Sequence, residues 1–357
     1  MESTALSASL PNELRPPVTD LSALPARLSK WLWVTPTEFV LTTHALDLAE
    51  WALRIRAQVK PSLSAGLRRG PKTIYQDSSV MVMALIHVAW QFSYEQVVSY
   101  FCARPEAAQA VGFPEQRVIS VSQYWERRRA LGIFPFWLFF IGMVWQLIRC
   151  AVIKGTDVIL DATTQQTWFH HDPDAAWSFP KPWKGSIWGY KVHTVLCRWS
   201  QLPVMFLVTS ANRQESLLAI PLLLLTVACF GFSIKMVRAD AGYFTAAIMN
   251  FIRVVLRAGW IIDYNLRRQG KRFLATFFFL KQWRFHLRPR ATIERHFAWA
   301  KRYFGLEAAR WRGLVAAYQH TALVYSVMLG VALVAHRYQR PELAGSRARV
   351  LAVKTVQ

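Results

Sequence analysis

Residues 158–164 read VILDATT, a β-branched and apolar run that closes on Asp161. This pattern predicts a short strand over Val158 to Leu160, with the aspartate at its downstream end. Working outward, residues 188–197 (WGYKVHTVLC) and 203–209 (PVMFLVT) read as two more strands. Residues 217–230 form an apolar helix pattern, and Ile234 to Val237 a fourth strand that leads into Arg238, Ala239 and Asp240. A helix over 243–256, a fifth strand over 260–264 and a helix over 291–304 complete the order. Strand and helix in the sequence β-β-β-α-β-α-β-α describe a mixed sheet covered by helices. Upstream, residues 31–60 read as helical. Gly66, Gly70 and Pro71 mark a linker, and two helices follow within 76–111. The expected organisation is a loose arm over 1–30, a helical, DNA-binding domain over 31–152, an α/β domain over 153–335 and a basic tail over 336–357.

The chain has 357 residues, 43 Lys and Arg against 21 Asp and Glu, and a formal net charge of +22. Such a surface attracts polyanions, either nucleic acid or an anionic membrane. Hydrophobic residues make up 53%, which excludes a disordered chain. Cys102, Cys150, Cys197 and Cys229 lie far apart with no CxxC pair, so they read as four buried thiols in a reducing compartment. No secretory signal pattern opens the chain. The uncharged runs 130–148 and 314–335 are long enough to raise a basic polytopic membrane protein as an alternative. Gln146, Tyr318, Gln319 and His320 interrupt them, and the basic residues between show no sidedness, so buried helices are the preferred reading.

Acidic residues are scarce, which gives their positions weight. Asp161 and Asp240 follow strands, and ligands of open sheets gather at strand ends. Asp157 competes with Asp161, but in an extended strand the two stand roughly 13 Å apart and cannot share one compact site. Gly242 permits a tight turn after Asp240, whose plainer role is a helix cap. Arg238 is available to balance its charge. Arg290, Glu294 and Lys301 share one face of the last helix, beside an apolar stripe of Ile293, Phe297, Ala300 and Phe304. That helix can lie on the sheet and still direct Glu294 at its edge; a simple Arg290–Glu294 surface pair is the competing reading. Three carboxylates in a basic protein suit Mg²⁺-dependent phosphodiester chemistry, in which two ions serve the attacking and leaving oxygens.

Residues 119–129 (ISVSQYWERRR) suggest a short helix capped by Ser122 and carrying Arg127, Arg128 and Arg129, candidates for DNA contact in a helix-turn-helix-like unit. Residues 253–312 hold 15 Lys or Arg and only three acidic residues. Arg267, Arg268, Lys271 and Arg272 form one cluster; Lys281, Arg284, Arg288 and Arg290 form another; Arg302 follows. These are candidate phosphate contacts. Trp283 and Phe285 are candidate base wedges, with core packing the commoner role. His170, His171, Asp172 and Asp174 lack a recognised zinc spacing and read as a polar loop.

Four stretches together resemble the DDE transposases of bacterial insertion sequences: ILDATT at 159–164, GYKVHTVL at 189–196 leading to LVTSANRQES at 207–216, RADAGY at 238–243, and RATIERHFAWAKRYFGLEAARWRG at 290–313. The helical stretch at 78–101 is similar too, and the resemblance runs over roughly residues 70–335. It implies a ribonuclease-H-like catalytic fold that cleaves and joins DNA with divalent metal, two Mg²⁺ ions with Mn²⁺ as a substitute. Asp161, Asp240 and Glu294 would be the metal ligands, and Arg290 and Lys301 the cations beside the glutamate. The implied partners are double-stranded DNA with inverted-repeat ends, target DNA, and further copies of the chain in a dimer or larger assembly. No membrane is expected, and the implied location is the cytoplasm, on the nucleoid. Two departures stand out. Many relatives place a tyrosine three residues before the arginine, where this chain has Leu287, so an inactive DNA-binding descendant is the alternative. Glu215 takes the place of a common aspartate.

Overall fold

The structure is a computed structural model that describes residues 15–17, 36–59, 74–114, 117–178, 185–263, 285–307, 311–337 and 339–344. The expected linker, most of the arm and tail, Trp283, and the basic residues Arg267, Arg268, Lys271, Arg272, Lys281 and Arg284 lie outside them. The chain divides into two compact units. One comprises the described residues within 151–302 and 306–317, and the other those within 10–150, 303–305 and 318–357.

The helical unit is built from α1 (Pro36–Val59), α2 (Asp77–Trp90), α3 (Tyr94–Cys102), α4 (Pro105–Ala110), α5 (Val121–Leu131) and α6 (Phe134–Arg149). α1 packs against α2 and α6. Gly142 makes the second contact close: a Cβ there would come within 2.9 Å of Leu48 and 3.2 Å of Trp51. α3 begins with a capping box, Ser93 and Gln96 each bonding the other's backbone N–H. α5 is capped by Ser120, not by Ser122 as the sequence suggested, because Ser120 keeps an extended backbone while Ser122 lies inside the helix.

The apolar run over 130–148 is no single span. α5 and α6 meet at 77° across Gly132 and Ile133. The final helix α10 (Leu314–Arg337, numbered after those of the sheet unit) is long and apolar enough to cross a membrane, yet it is mostly buried inside the protein, as a core helix is.

The other unit holds a six-stranded mixed sheet: β1 (Asp157–Gln166), β2 (Ala176–Ser178), β3 (Ile187–Cys197), β4 (Pro203–Ser210), β5 (Met236–Ala239) and β6 (Gly259–Ile262). β1 runs antiparallel to β3 and parallel to β5, and β5 runs parallel to β6. β2 and β4 pair with β3. Helices α7 (Glu215–Phe230), α8 (Ala246–Asn250) and α9 (Ala291–Phe304) belong to the same region. An all-helical region followed by this mixed sheet flanked by helices is a ribonuclease-H-like α/β fold.

Three elements differ from their sequence reading. β1 is much longer than its apolar start, because β3 pairs with its polar half as far as Gln166. Asp161 therefore lies within the strand rather than at its end. β2 is a three-residue addition that periodicity cannot register. The helix expected over 243–256 is a 3₁₀ turn, the short α8 and a π turn at Phe251–Val255. α9 has the expected bounds, and its stripe is buried: Ile293 and Phe297 pack with Ile159 and Leu196 on one face of the sheet. Each such side chain contributes about 1.5–3 kcal/mol on burial.

Candidate active site

β1 and β5 are neighbours, and their last paired residues are Leu160 and Ala239. The next residue on each strand is an aspartate, Asp161 on one and Asp240 on the other. β5 ends there and β1 continues, so both carboxylates stand at a step in the sheet. Asp161 Oδ1 accepts the Ala162 N–H at 2.8 Å. Asp240 caps the 3₁₀ turn Ala241–Tyr243, its carboxylate accepting the Ala241 N–H. The plainer capping role is real, and it leaves the second oxygen free to face Arg290.

α9 supplies the third carboxylate. Arg290 precedes the helix in the 3₁₀ turn Arg288–Arg290, and its Nη2 donates to Glu294 Oε1 at 2.8 Å. This is the i,i+4 pair expected on a helix surface. The same guanidinium reaches further: Nη1 lies 3.9 Å from Asp161 Oδ2 and 3.7 Å from Asp240 Oδ2. One cation therefore touches three carboxylates from three elements. Asp161, Asp240 and Glu294 thus share one ion-pair partner, Arg290.

Electrostatics at this point favour added positive charge. Burial raises the Asp161 carboxyl to about 7; the Ala162 N–H opposes the rise, Glu215 adds to it, Arg290 opposes it and Asp240 adds to it. Tyr243, fully buried after Asp240, has its phenol held far above its ordinary value by burial and then by Glu215, Asp161 and Asp240. Among the described residues, no three His, Cys, Asp or Glu side chains lie close enough to hold one metal ion. The three side chains are all carboxylates, the donor type that a hard divalent cation takes.

Asp157, the rival aspartate, has a different role. It is buried and accepts from Arg238 Nε at 3.0 Å, Arg238 Nη2 at 3.0 Å and Arg198 Nη1 at 2.8 Å. Arg238 thus balances Asp157, not Asp240. It also donates to the His286 carbonyl. Lys301 is paired with Glu307. Asp172 is buried, accepting the Tyr190 hydroxyl at 2.6 Å and the Gly313 N–H at 2.9 Å, and Asp174 accepts the Leu314 N–H at 2.9 Å. The His170–Asp174 loop is therefore a staple at the start of α10.

Among the basic candidates, Arg127 is tied to Asp77 at 2.6 Å and to the Tyr75 carbonyl, and Arg128 is buried against the phenols of Tyr94 and Tyr124. Arg129 is exposed, over the Trp125 ring. Arg288 stands over the exposed Phe285 ring and lines a cavity of about 660 Å³ with Arg198 and Arg238. Arg302 is exposed. Of the four thiols expected to be buried, only Cys197 is; Cys150 and Cys229 are half-buried, and Cys102 is exposed, ending an amphipathic helix on its solvent side.

Sequence reasoning left Glu215 without a role and passed over Lys191 and Tyr243. Tyr243 was visible in RADAGY. The Lys191–Glu215 pair, 3.3 Å apart, joins β3 to α7 and has no signature in spacing.

The sequence model of the Transposase DDE domain family matches residues 154–329. This stretch is similar to a transposase DDE domain. The matched stretch includes β1, β5 and α9, and with them all three carboxylates in contact with Arg290. No curated protein matches the chain.

Proposed function

We propose that this protein is a DNA transposase that cleaves phosphodiesters at the ends of a mobile element and joins the freed 3′ ends to target DNA. The observation that carries the reading is the contact of one guanidinium, Arg290, with Asp161, Asp240 and Glu294, inside a transposase DDE domain. In this reading Asp161, Asp240 and Glu294 hold divalent cations, Mg²⁺ with Mn²⁺ as a substitute. When bound, such cations neutralise the phosphoryl oxygens and lower the pKa of water. The chain's own part is to hold the carboxylates in place. β1 and β5 fix the two aspartates through their parallel register, and α9, anchored by Ile293 and Phe297, fixes the glutamate. Arg290 supplies positive charge where a phosphate would arrive. Lys301, on the same helix, is held by Glu307.

Arg129, Arg288 and Arg302 are exposed and suited to phosphate contacts. Arg267, Arg268, Lys271, Arg272, Lys281 and Arg284, outside the described residues, are further candidates by charge alone. Arg127 and Arg128 act instead through the helical unit, which we take as the DNA-binding domain, by holding its helices together. Assembly as a dimer or larger complex on paired ends completes the proposal, and nucleoid DNA is the place of action.

The test uses purified protein, labelled DNA from the repeats flanking the gene, and Mg²⁺ or Mn²⁺. Cleavage and strand-transfer products are expected, with loss of about 10²-fold or more for Glu294→Gln. End binding without cleavage in either metal would identify an inactive DNA-binding descendant. Cleavage unchanged by Glu294→Gln would remove the site assignment.

A further inference from the structure

The cavity of about 660 Å³ in the sheet unit belongs to the start of β5 rather than to its end. Met236 begins β5, pairs with Asp157 and lines the cavity, whereas Asp240 follows the other end of the strand. Ile261 on the neighbouring β6 adds apolar surface. Phe285 lines the cavity too and is 63% exposed. An open aromatic ring beside a cavity is a surface on which a flat group can stack. Arg198, Arg238 and Arg288 bring three guanidiniums to the same space. Asp157 accepts from the first two and holds them in place. Arg238 also donates to the His286 carbonyl, which ties the stretch before α9 to β5. Among the described residues Arg288 has no carboxylate partner; its guanidinium stands 5.9 Å from the centre of the Phe285 ring.

Three guanidiniums thus meet one carboxylate, and the cavity keeps two positive charges. Its size limits what can answer them. Pockets of roughly 300–1,000 Å³ take small ligands, and a duplex cannot enter one. The occupant needs an anionic group for the arginines and a flat body for Phe285. A phosphate matches the guanidinium fork, and a nucleobase offers a π face to an aromatic ring. The turn Arg288–Arg290 keeps this place apart from the carboxylates, with Arg290 facing them and Arg288 facing the cavity.

We infer that this cavity binds a single nucleotide, its phosphate on Arg288 and Arg198 and its base against Phe285. Nothing in it requires a cation at Asp161, Asp240 or Glu294, so DNA cleavage and nucleotide binding can fail separately. The test is calorimetry on the full-length, DNA-free protein with AMP and with inorganic phosphate. AMP is expected to occupy one site and to bind at least about tenfold more tightly than phosphate. Arg288→Gln should weaken AMP at least about tenfold. Phe285→Ala should weaken AMP by about fivefold or more and leave phosphate unchanged, a split that damage to the fold would not produce. Arg253→Gln removes an exposed arginine elsewhere in the same unit and should alter neither. AMP that binds no better than phosphate, or AMP binding untouched by Arg288→Gln and Phe285→Ala, would overturn the inference. Competition separates the two sources of a nucleotide. An oligothymidylate that displaces AMP and is itself weakened by both substitutions places the nucleotide in an unpaired DNA strand. One that leaves AMP bound makes the ligand a free nucleotide.

Discussion

Asp161 and Asp240 are register neighbours. Each follows the last pair of the β1–β5 ladder, Leu160 with Ala239, and both face the guanidinium of Arg290. Parallel pairing places them side by side although 79 residues of sequence separate them.

Removing Arg290 should expose how these carboxylates are balanced. Arg290→Ala is expected to lower the melting temperature in chelator, because the carboxylates then repel one another without their shared cation. Excess Mg²⁺ should raise it by more than in the wild type. Thermal melts with and without Mg²⁺ check this, and an equal Mg²⁺ effect in both proteins would count against a shared site.

The two aspartates of β1 should separate cleanly. Asp157 is 9% exposed at its side chain and Arg238 5%. Asp157→Asn leaves Arg238 buried without its carboxylate and should cost about 3–5 kcal/mol of stability. Asp161→Asn should remove DNA cleavage with little loss of stability, or a gain, since it deletes a charge held in a negative environment. Urea unfolding and an end-cleavage assay on both variants give the comparison.

Acid should weaken the fold through histidine. Burial lowers His193, His296 and His320 to about 4 each. Between about pH 6.5 and 4 the unfolded chain binds protons that these folded imidazoles refuse, so stability falls as pH falls. Each contributes about 1.4 kcal/mol per pH unit in that window and nothing above it. Asp161, raised to about 7, acts in the opposite sense, and one group cannot cancel three. Urea midpoints from pH 6.5 downward should therefore decline, and His296→Phe should flatten the slope. An unaltered slope would show that His296 ionises without cost.

The Asp172 staple can be weakened from one side. Tyr190→Phe removes the 2.6 Å bond to a buried carboxylate and should cost about 1.5–3 kcal/mol. Chemical denaturation measures it, and a neutral result would mean that the Gly313 and Asp174 N–H groups together satisfy Asp172.

Patterning revealed the strands that carry strong apolar runs and the helix with a 3.6-residue stripe. It therefore located β1, β3, β4 and α9, and gave the correct bounds for α9. It failed where tertiary partners decide. Thr163, Thr164 and Gln165 are polar, and they extend as strand because β3 binds them; Gln165 is buried and donates to the Leu306 carbonyl. Asp157 and Asp161 could be ranked by position, but the reason Asp157 is elsewhere engaged lies in Arg238, 81 residues away. Glu215 and Lys191 meet only because α7 returns to β3 and β4. Spacing along the chain contains no trace of such a pair.

Arg290 also sets the terms on which any ion enters. A guanidinium built into the fold already satisfies the acidic edge, so the polypeptide can reach its native state before metal is available. An incoming ion must then compete with an internal cation. Its affinity reflects a difference between two partners rather than the full attraction of the carboxylates. On the proposed reading, only an ion of higher charge gains enough from that exchange.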